Sequence, residues 1–192
     1  MNNDEWFNAA KNGNLVQIKK MIQSGNINID QRNYRGNTAL KLAAQHGHTE
    51  LTKFLIESGA NIDIKDFYGD TALISTTYFR HIEVLKLLIK ANANVNARNH
   101  RGVTALSFAV VYNNFEMANI LIDAGARVDS RKKIIEHMYS SEIENLLKRA
   151  GAVFIKNPMF KCFKCSTPEE FSRKMEIYKR GVTANDMHRY WL

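Results

Sequence analysis

Two cysteines near the C-terminal end have the spacing of a metal-binding motif. Cys162 and Cys165 are separated by two residues, which is half of a structural zinc site, and such a site normally needs a second pair of ligands. Only His188 lies nearby in the sequence as a further ligand. The alternative is a pair of free thiols in a short connecting turn. We predict no metal site and no cofactor, with Cys162 and Cys165 as the metal-ligand candidates should a site exist.

No other group of residues has the pattern of an enzyme active site. The six histidines are scattered, no glycine-rich phosphate loop follows a strand, and no Ser or Cys lies in a nucleophile motif. The two cysteines form no disulfide framework, which fits a reducing compartment. We therefore predict a protein that is not an enzyme and has no small-molecule substrate.

Aromatic residues are the other chemically distinctive feature. The stretch FYGDTALISTTYFRH places Phe67 and Tyr68 before the phrase GDTAL, and Tyr78 and Phe79 after it. Aromatic side chains bury a large area at a small entropic cost, and they are enriched among the residues that dominate protein interfaces. Whether these four can act in this way depends on the elements that position them.

A regular sequence period supplies those elements. The phrases GNTAL, GDTAL and GVTAL begin at Gly36, Gly69 and Gly102, and the segment endings ESGANID, KANANVN and DAGARVD keep the same spacing. Between these landmarks, apolar residues recur at i, i+3 and i+4, which predicts two short one-sided helices per repeat. Neither helix could bury its apolar stripe alone, so neighbouring repeats must stack.

This pattern resembles the ankyrin repeat. The resemblance implies an all-α ankyrin-repeat solenoid, in which each helix-turn-helix unit is preceded by a β-turn finger. Two departures from the family pattern stand out. Lys41 and its equivalents replace the usual His, so the bond from that His to the Thr of the TAL phrase is absent. Arg80 replaces the glycine of the turn between helices, Gly47 in the first repeat, which is unfavourable if the position needs a positive φ.

The predicted domains follow from the register. Residues 1–154 form the repeat domain, and residues 155–192 form a basic C-terminal helical extension. The repeat domain divides into a cap at 3–32, regular repeats at 33–65, 66–98 and 99–131, and a truncated cap repeat at 132–154. Within the extension, a capping box predicts a helix over residues 168–180, and Thr183 can cap a second short helix. These helices either cap the solenoid or form a second binding module.

The resemblance also implies where a partner binds. In ankyrin proteins, partners usually lie along the concave side, formed by the finger tips and the exposed face of the first helices. The matching residues are Tyr34, Arg35, His46, Phe67, Tyr68, Asp70, Tyr78, Phe79, His100, Arg101 and Tyr112. Aromatic residues with a basic rim predict a protein partner, either a peptide or a domain, that carries apolar anchors and acidic neighbours. The alternative is structural: Tyr78 or Phe79 turns inward beside Thr76, and Phe67 packs against the adjacent finger.

Charge leaves a second function open. The formal net charge is +8, and residues 155–192 hold 8 Lys and Arg against 4 Asp and Glu. A basic surface with aromatic platforms also suits an anion or single-stranded nucleic acid. Our main prediction is a monomeric protein–protein interaction module or adaptor, and the alternative is anion or single-stranded nucleic-acid binding by the basic surface and the extension.

The sequence predicts a cytoplasmic protein. No window approaches the roughly 18 unbroken apolar residues of a membrane span, and the first residues, MNNDEWFNAAKNG, lack the pattern of a secretory signal. The Asn- and Ile-rich, Pro-poor composition is typical of an AT-rich genome, such as that of an intracellular bacterium or a large DNA virus. In that case the protein would be a host-directed effector acting in the host cytoplasm.

Overall fold

The computed structural model describes residues 3–25, 27–128, 134–135, 140–152 and 154–155. Eight helices in its first compact unit, residues 1–127, form four antiparallel pairs. The pairs are α1 (Asn3–Lys11) with α2 (Leu15–Gln23), α3 (Ala39–Gln45) with α4 (Thr49–Glu57), α5 (Ala72–Phe79) with α6 (Ile82–Lys90), and α7 (Ala105–Val111) with α8 (Phe115–Asp123). This arrangement confirms the predicted all-α solenoid.

The first helix of each regular pair begins at the Thr of the TAL phrase. Thr38, Thr71 and Thr104 have extended backbone, and each side-chain oxygen accepts a hydrogen bond from the backbone N–H three residues later. Such a cap satisfies one of the N–H groups that the first helical turn leaves unpaired. The repeated Thr is therefore structural, as the period indicates.

The core lies between the two layers of helices. Helix α3 packs between α1 and α5, and α5 packs between α3 and α7, while the second helices stack as α4 on α6 and α6 on α8. Leucines of the second helices, including Leu55, Leu88 and Leu121, are completely buried. Since each leucine is covered by neighbouring pairs, stability depends on the stack and not on any single pair.

Histidines join successive pairs. His48 Nε2 donates a hydrogen bond to the carbonyl oxygen of Lys11 at 2.8 Å, and His81 Nε2 donates one to the carbonyl oxygen of Gln45 at 3.1 Å. The His81 ring occupies space beside Gly47, where a Cβ atom would come within 2.6 Å of it. The close approach of this ring therefore requires glycine in the preceding turn.

The next junction lacks this arrangement. Arg80 is in the turn position that Gly47 occupies one repeat earlier. Asn114 is in the position that His81 occupies one repeat earlier. Arg80 has φ 65° and ψ 35°, so this turn does need a positive φ, the condition under which arginine is unfavourable there. A Cβ atom at Gly47 would come within 2.6 Å of the His81 ring, so a residue other than glycine in this turn disfavours a histidine in the next repeat, where Asn114 stands.

The fingers are built from repeated side-chain turns. Asn33, Asp66 and Asn99 each accept hydrogen bonds from the backbone N–H groups two and four residues later. Adjacent fingers are then joined through their backbones. The N–H of Phe67 donates to the carbonyl oxygen of Arg35 at 3.2 Å, and the N–H of His100 donates to that of Tyr68 at 3.1 Å.

A buried ion pair that the sequence pattern did not predict braces the first two fingers. Lys41 Nζ lies 2.6 Å from Asp66 Oδ2 and 2.9 Å from Asn37 Oδ1, and Lys41 and Asp66 are 4% and 6% exposed. Lys41 occupies the position where the family favours His. A different bond thus connects the first helix of one repeat to the finger of the next.

Replacing Gly69 with alanine is expected to lower the free energy of unfolding by about 2 kcal/mol. Gly69 has φ 81°, and a Cβ atom there would lie 2.6 Å from the backbone nitrogen of His100. Backbone strain and the displaced finger contribute about 1 kcal/mol each. Gly59→Ala is the matched control, because φ is 88° and a Cβ atom would meet nothing within 4 Å. Urea unfolding should show a loss of about 1 kcal/mol for the control, and equal losses would show that the close approach of the fingers is unimportant.

The second compact unit comprises residues 128–192. Its described elements are α9 (Ser141–Arg149) and a parallel pair of two-residue strands, β1 (Ile134–Ile135) and β2 (Phe154–Ile155), which the sequence did not predict. Helix α9 lies within the range of the predicted truncated cap repeat, 132–154. The helix at 168–180, the helix after Thr183 and the two cysteines lie outside the described residues, so these predictions and the domain boundaries remain untested.

Candidate partner-binding surface

Four aromatic rings meet where helices α5 and α7 end. The Tyr78 ring centre lies 4.9 Å from that of Phe79, 5.3 Å from that of Phe108 and 5.7 Å from that of Tyr112, all in edge-to-face geometry. Phe108 and Tyr112 are stacked at 6.1 Å. We call these four residues the aromatic cluster. Edge-to-face pairs at such distances are favourable beyond the area they bury.

The cluster is only partly buried. Tyr78 is 46% exposed and Phe79 is 45% exposed, and Phe108 and Tyr112 are half-buried. Thr76, which was the reason to consider an inward turn of these rings, is itself completely buried. The rings therefore pack against one another and still present a large apolar area to the outside, so neither the purely structural nor the purely exposed alternative describes them.

Arg80 adds a positive charge to the cluster. Its guanidinium carbon lies 4.9 Å from the centre of the Tyr112 ring, a cation–π geometry. Burial raises the pKa of the Tyr112 phenol, its interaction with Tyr78 raises that pKa further, and the charge of Arg80 acts in the opposite direction. A raised pKa favours the neutral form, so the Tyr112 phenol is a neutral hydrogen-bonding group beside the Arg80 guanidinium.

Arg80→Gly is expected to change the free energy of unfolding by less than about 0.5 kcal/mol. Relief of left-handed strain, about 1–2 kcal/mol, is offset by the lost cation–π contact and by the larger entropy of unfolded glycine, each about 0.5–1 kcal/mol. Arg80→Ala is the control, because it loses the contact and retains the strain, and it should be about 1 kcal/mol less stable than Arg80→Gly. Thermal and urea unfolding check both variants. A loss in Arg80→Gly above about 2 kcal/mol, well beyond that of an ordinary surface substitution, would mean that Arg80 is held for stability.

The finger tips carry the remaining aromatic candidates. Tyr34, Phe67 and Tyr68 are 80%, 61% and 64% exposed, and His100 is also exposed. The guanidinium of Arg35 lies 5.4 Å from the centre of the Tyr34 ring. These positions are exposed as the repeat register predicts, and the ring contacts given for the described residues do not include one between them and the aromatic cluster.

Phe67 has a structural contact as well. Its ring lies against Gly36 of the preceding finger, where a Cβ atom would come within 2.8 Å of Phe67 Cδ1, and the Arg32 guanidinium lies 5.5 Å from the ring centre. The predicted packing against the adjacent finger is therefore present. With more than half of its surface exposed, Phe67 can still contact a partner.

Three further predicted residues also lie outside the aromatic cluster. Asp70 is half-buried, and its Oδ1 accepts a hydrogen bond from Asn99 Nδ2 at 2.9 Å, so it also joins two fingers. His46 ends α3, and Arg101 is exposed on the third finger. Their roles in binding remain predictions.

The pKa of His46 is lowered. Partial burial is the main cause, and electrostatic interactions with His48, Lys11 and His81 add to it. The His46 and His48 ring centres are 6.2 Å apart. Because a lowered pKa favours the neutral imidazole, His46 contributes a neutral ring to this surface near pH 7.

Two members of this surface were not among the predicted site residues. Phe108 was missed because the register was applied only to the last residues of each first helix, although a Phe where the other repeats have Leu42 and Ser75 is a visible signal. Arg80 was noticed as a departure from the repeat but was interpreted only as a burden on the turn. In both cases the signal is a residue type that the scaffold position does not require.

Asn96 has a structural role in the turn. Its Nδ2 donates to the carbonyl oxygen of Gly125 at 3.1 Å, and its Oδ1 accepts from the N–H of Arg127 at 2.7 Å. Asp30 and Asp63, at the equivalent positions of the two preceding units, accept the matching bonds from the backbone N–H groups of Asn61 and Asn94. Asn96 thus continues a series of bonds between consecutive repeats.

Potential metal ligands are not grouped in the described part of the chain. Among the described residues, no set of three or more His, Cys, Asp or Glu side chains could hold a metal ion. Within those same ranges, no helix is both long enough and apolar enough to cross a membrane.

Comparison with known proteins gives one family. The family model described as ankyrin repeats (3 copies) matches residues 6–99 and 63–132. Over 50 residues the chain is 38% identical to human ankyrin repeat domain-containing protein 29. That match covers 26% of this chain and 17% of the human protein, so it concerns a short part of each. The regular period, the capped helix pairs, the joined fingers and the family match agree, and the chain belongs to the ankyrin repeat family.

Proposed function

We propose that this chain is a cytoplasmic protein–protein interaction module that binds one partner through the aromatic cluster and the neighbouring finger tips. Ankyrin repeats are generally protein-interaction modules and are generally not enzymes. The observation that supports this particular surface is the aromatic cluster itself, in which Tyr78 and Phe79 are each nearly half exposed although inward packing was open to them.

The energetics of such a surface favour a protein partner. Exposed aromatic rings that already pack against one another lose little conformational freedom on binding, so a larger share of the gained burial becomes affinity. Rings held in this way, with a polar group at the edge, are typical of the residues that dominate interface energies. Tyr78 and Tyr112 each present such a hydroxyl group.

The charge of the surface favours a partner with acidic groups. The described side-chain ion pairs involve Lys41 with Asp66, and Lys86 with Glu83 and Glu116. The cations beside the aromatic rings, Arg80 and Arg35, take part in none of them. An acidic partner would supply the opposite charge and would also be attracted from a distance.

Affinity capture tests this proposal. The wild-type chain and the variant Tyr68→Ala/Phe79→Ala are immobilised and exposed to lysate, and bound proteins are quantified by mass spectrometry. The proposal expects at least one protein whose recovery falls about tenfold or more with the variant. Identical recoveries of every bound protein would contradict it.

Salt separates this function from the nucleic-acid alternative. Binding that depends on phosphate contacts weakens steeply between about 50 and 200 mM salt, because each contact releases counterions. An aromatic protein interface should weaken far less over the same range. Retention of labelled single-stranded DNA at the lower salt concentration but not at the higher one, with no protein retained at either, would favour the alternative.

Two finer predictions also belong to this proposal. The adaptor role requires a second interaction, for which the basic segment 155–192 is the available part of the sequence. The effector hypothesis rests on composition alone, and it predicts that the captured partner comes from a host lysate.

A further inference from the structure

We infer that Arg80 determines which partner is chosen, by pairing with a single carboxylate that lies directly beside the apolar side chain seated on the aromatic cluster. The ligand is thus a peptide segment in which an Asp or Glu neighbours a Phe, Trp, Leu or similar residue. This inference rests on the proposed function, and it adds the identity of the selecting residue and the chemistry that it selects.

The left-handed backbone conformation of Arg80 supports this inference. The two preceding turns have glycine at this position, Gly13 and Gly47, and the following turn has Asn113, which tolerates positive φ better than arginine. Arg80 adopts the left-handed conformation in spite of that strain. A residue that the local backbone disfavours is expected where something other than stability determines its type.

The replacement of the histidine that bridges the two preceding junctions also supports this inference. At the two preceding junctions a histidine from the next repeat lies in the space beside the turn, and His81 donates to Gln45 across the second of them. At the third junction, the residue in the histidine position is Asn114. The Asn114 side chain caps α8 by accepting a hydrogen bond from the backbone N–H of Met117. Two positions at this junction thus differ from the preceding one, with Arg80 in place of Gly47 and Asn114 in place of His81.

The position of the Arg80 guanidinium supports the inference as well. It lies over the Tyr112 ring, and a planar guanidinium held by a ring face keeps its N–H donors at the edge, where they can bind a carboxylate with two parallel bonds. No described ion pair involves Arg80. The nearest acidic residues along α6 and α8, Glu83 and Glu116, are paired with Lys86 at 2.9 and 3.6 Å. Arg80 is therefore available to an acidic group that comes from outside.

The same features exclude other occupants. A second copy of the chain, docked symmetrically, would place Arg80 near its own equivalent, which is unfavourable. A phosphate group carries nearly two negative charges and is usually bound by clusters of arginines. One arginine beside four rings fits one carboxylate with an apolar neighbour.

The test uses a random peptide library displayed on phage, selected on the full wild-type chain. The tightest peptide is then synthesised with a fluorescent label, and its affinity is measured by fluorescence anisotropy. We expect the selected peptides to share an acidic residue next to an aromatic or large aliphatic one. Amidation of that acid, by Asp→Asn or Glu→Gln, should weaken binding to the wild type about tenfold.

Protein variants, combined with the amidated peptide, complete a double-mutant cycle between Arg80 and the acidic residue of the peptide. Arg80→Gly should weaken binding of the acidic peptide about tenfold, and it should bind the acidic and amidated peptides equally, because the two changes remove the same interaction. Lys53→Gln, which removes an exposed charge on α4, should leave the affinity unchanged within about twofold. Equal binding of the acidic peptide to wild type and Arg80→Gly would overturn the inference.

The cycle distinguishes this inference from the proposed function. Peptides that lose affinity with Tyr78→Ala/Phe79→Ala but not with Arg80→Gly would leave the binding surface in place and reject the role of Arg80. A library that yields no peptide sensitive to Tyr78 and Phe79 would reject both. Selection of acidic peptides that lack a neighbouring apolar residue would also reject the inference.

Discussion

Asp66→Asn is expected to lower the free energy of unfolding by about 3 kcal/mol. The substitution keeps an oxygen for the turn, since Asn33 and Asn99 perform the same role in the neighbouring fingers. What it removes is the negative charge 2.6 Å from the Lys41 ammonium. Breaking a buried pair by changing one partner costs about 3–5 kcal/mol, because the other charge is left buried and uncompensated. Urea unfolding followed by circular dichroism measures the loss.

Two controls make this result specific. Glu83→Gln breaks an ion pair of similar length, 2.9 Å, but Glu83 and Lys86 are 72% and 46% exposed, so the stability should not change measurably. Lys41→Met together with Asp66→Asn should be more stable than Asp66→Asn alone, because no buried charge remains. If Asp66→Asn and Glu83→Gln have the same effect, the pair does not brace the fingers.

Tyr78→Ala/Phe79→Ala is expected to weaken partner binding by about 100-fold. Truncation of a central aromatic residue of an interface commonly costs about 2 kcal/mol or more. The two effects are not additive, because the rings contact each other. Their centres are 4.9 Å apart, so each ring also positions the other. The measurement is isothermal titration of the partner that affinity capture identifies.

Phe115→Ala is the matched control for that prediction. Phe115 is a large hydrophobic residue, 37% exposed, at the start of α8 in the layer of second helices. Its truncation should leave the partner affinity within about twofold. Circular dichroism must show that both variants fold, since the rings also contribute to packing. Equal affinities of wild type and Tyr78→Ala/Phe79→Ala for the captured partner would contradict the proposed surface.

Much of the scaffold could be predicted because a regular period repeats its constraints. The capping threonines of the TAL phrase appear once per repeat, at Thr38, Thr71 and Thr104. Each such position was visible several times in one sequence, so local propensity and the global pattern agreed. Arg80 was visible as the exception for the same reason.

The connections between repeats could not be predicted in the same way. Lys41 and Asp66 are 25 residues apart, and neither is repeated, since the equivalents of Lys41 are Ile74 and Ser107. A pair of residues that occurs only once does not reveal from sequence spacing that its members meet. Only the three-dimensional arrangement shows that Lys41 and Asp66 are in contact. The strands Ile134–Ile135 and Phe154–Ile155 were missed because two-residue strands have no detectable period.

The aromatic cluster could be predicted from the sequence only in part. The register placed Tyr78, Phe79 and Tyr112 at the ends of first helices, where Tyr78 and Phe79 are exposed and Tyr112 is half-buried. It could not decide how far each ring turns toward its neighbours, because rotamers depend on packing across two repeats. Phe108 entered the cluster only through its ring contacts, 5.3 Å from Tyr78. Whether this cluster binds a partner remains a proposal.

Site-specific photo-crosslinking tests the central claim most directly. The photoreactive residue p-benzoylphenylalanine replaces Phe79 in one protein and Phe115 in another, and each is irradiated in lysate. The account predicts a crosslinked protein, identified by mass spectrometry, from position 79 and not from position 115. Crosslinks that form equally from both positions, or only from position 115, would contradict the assignment of the aromatic cluster as the binding surface.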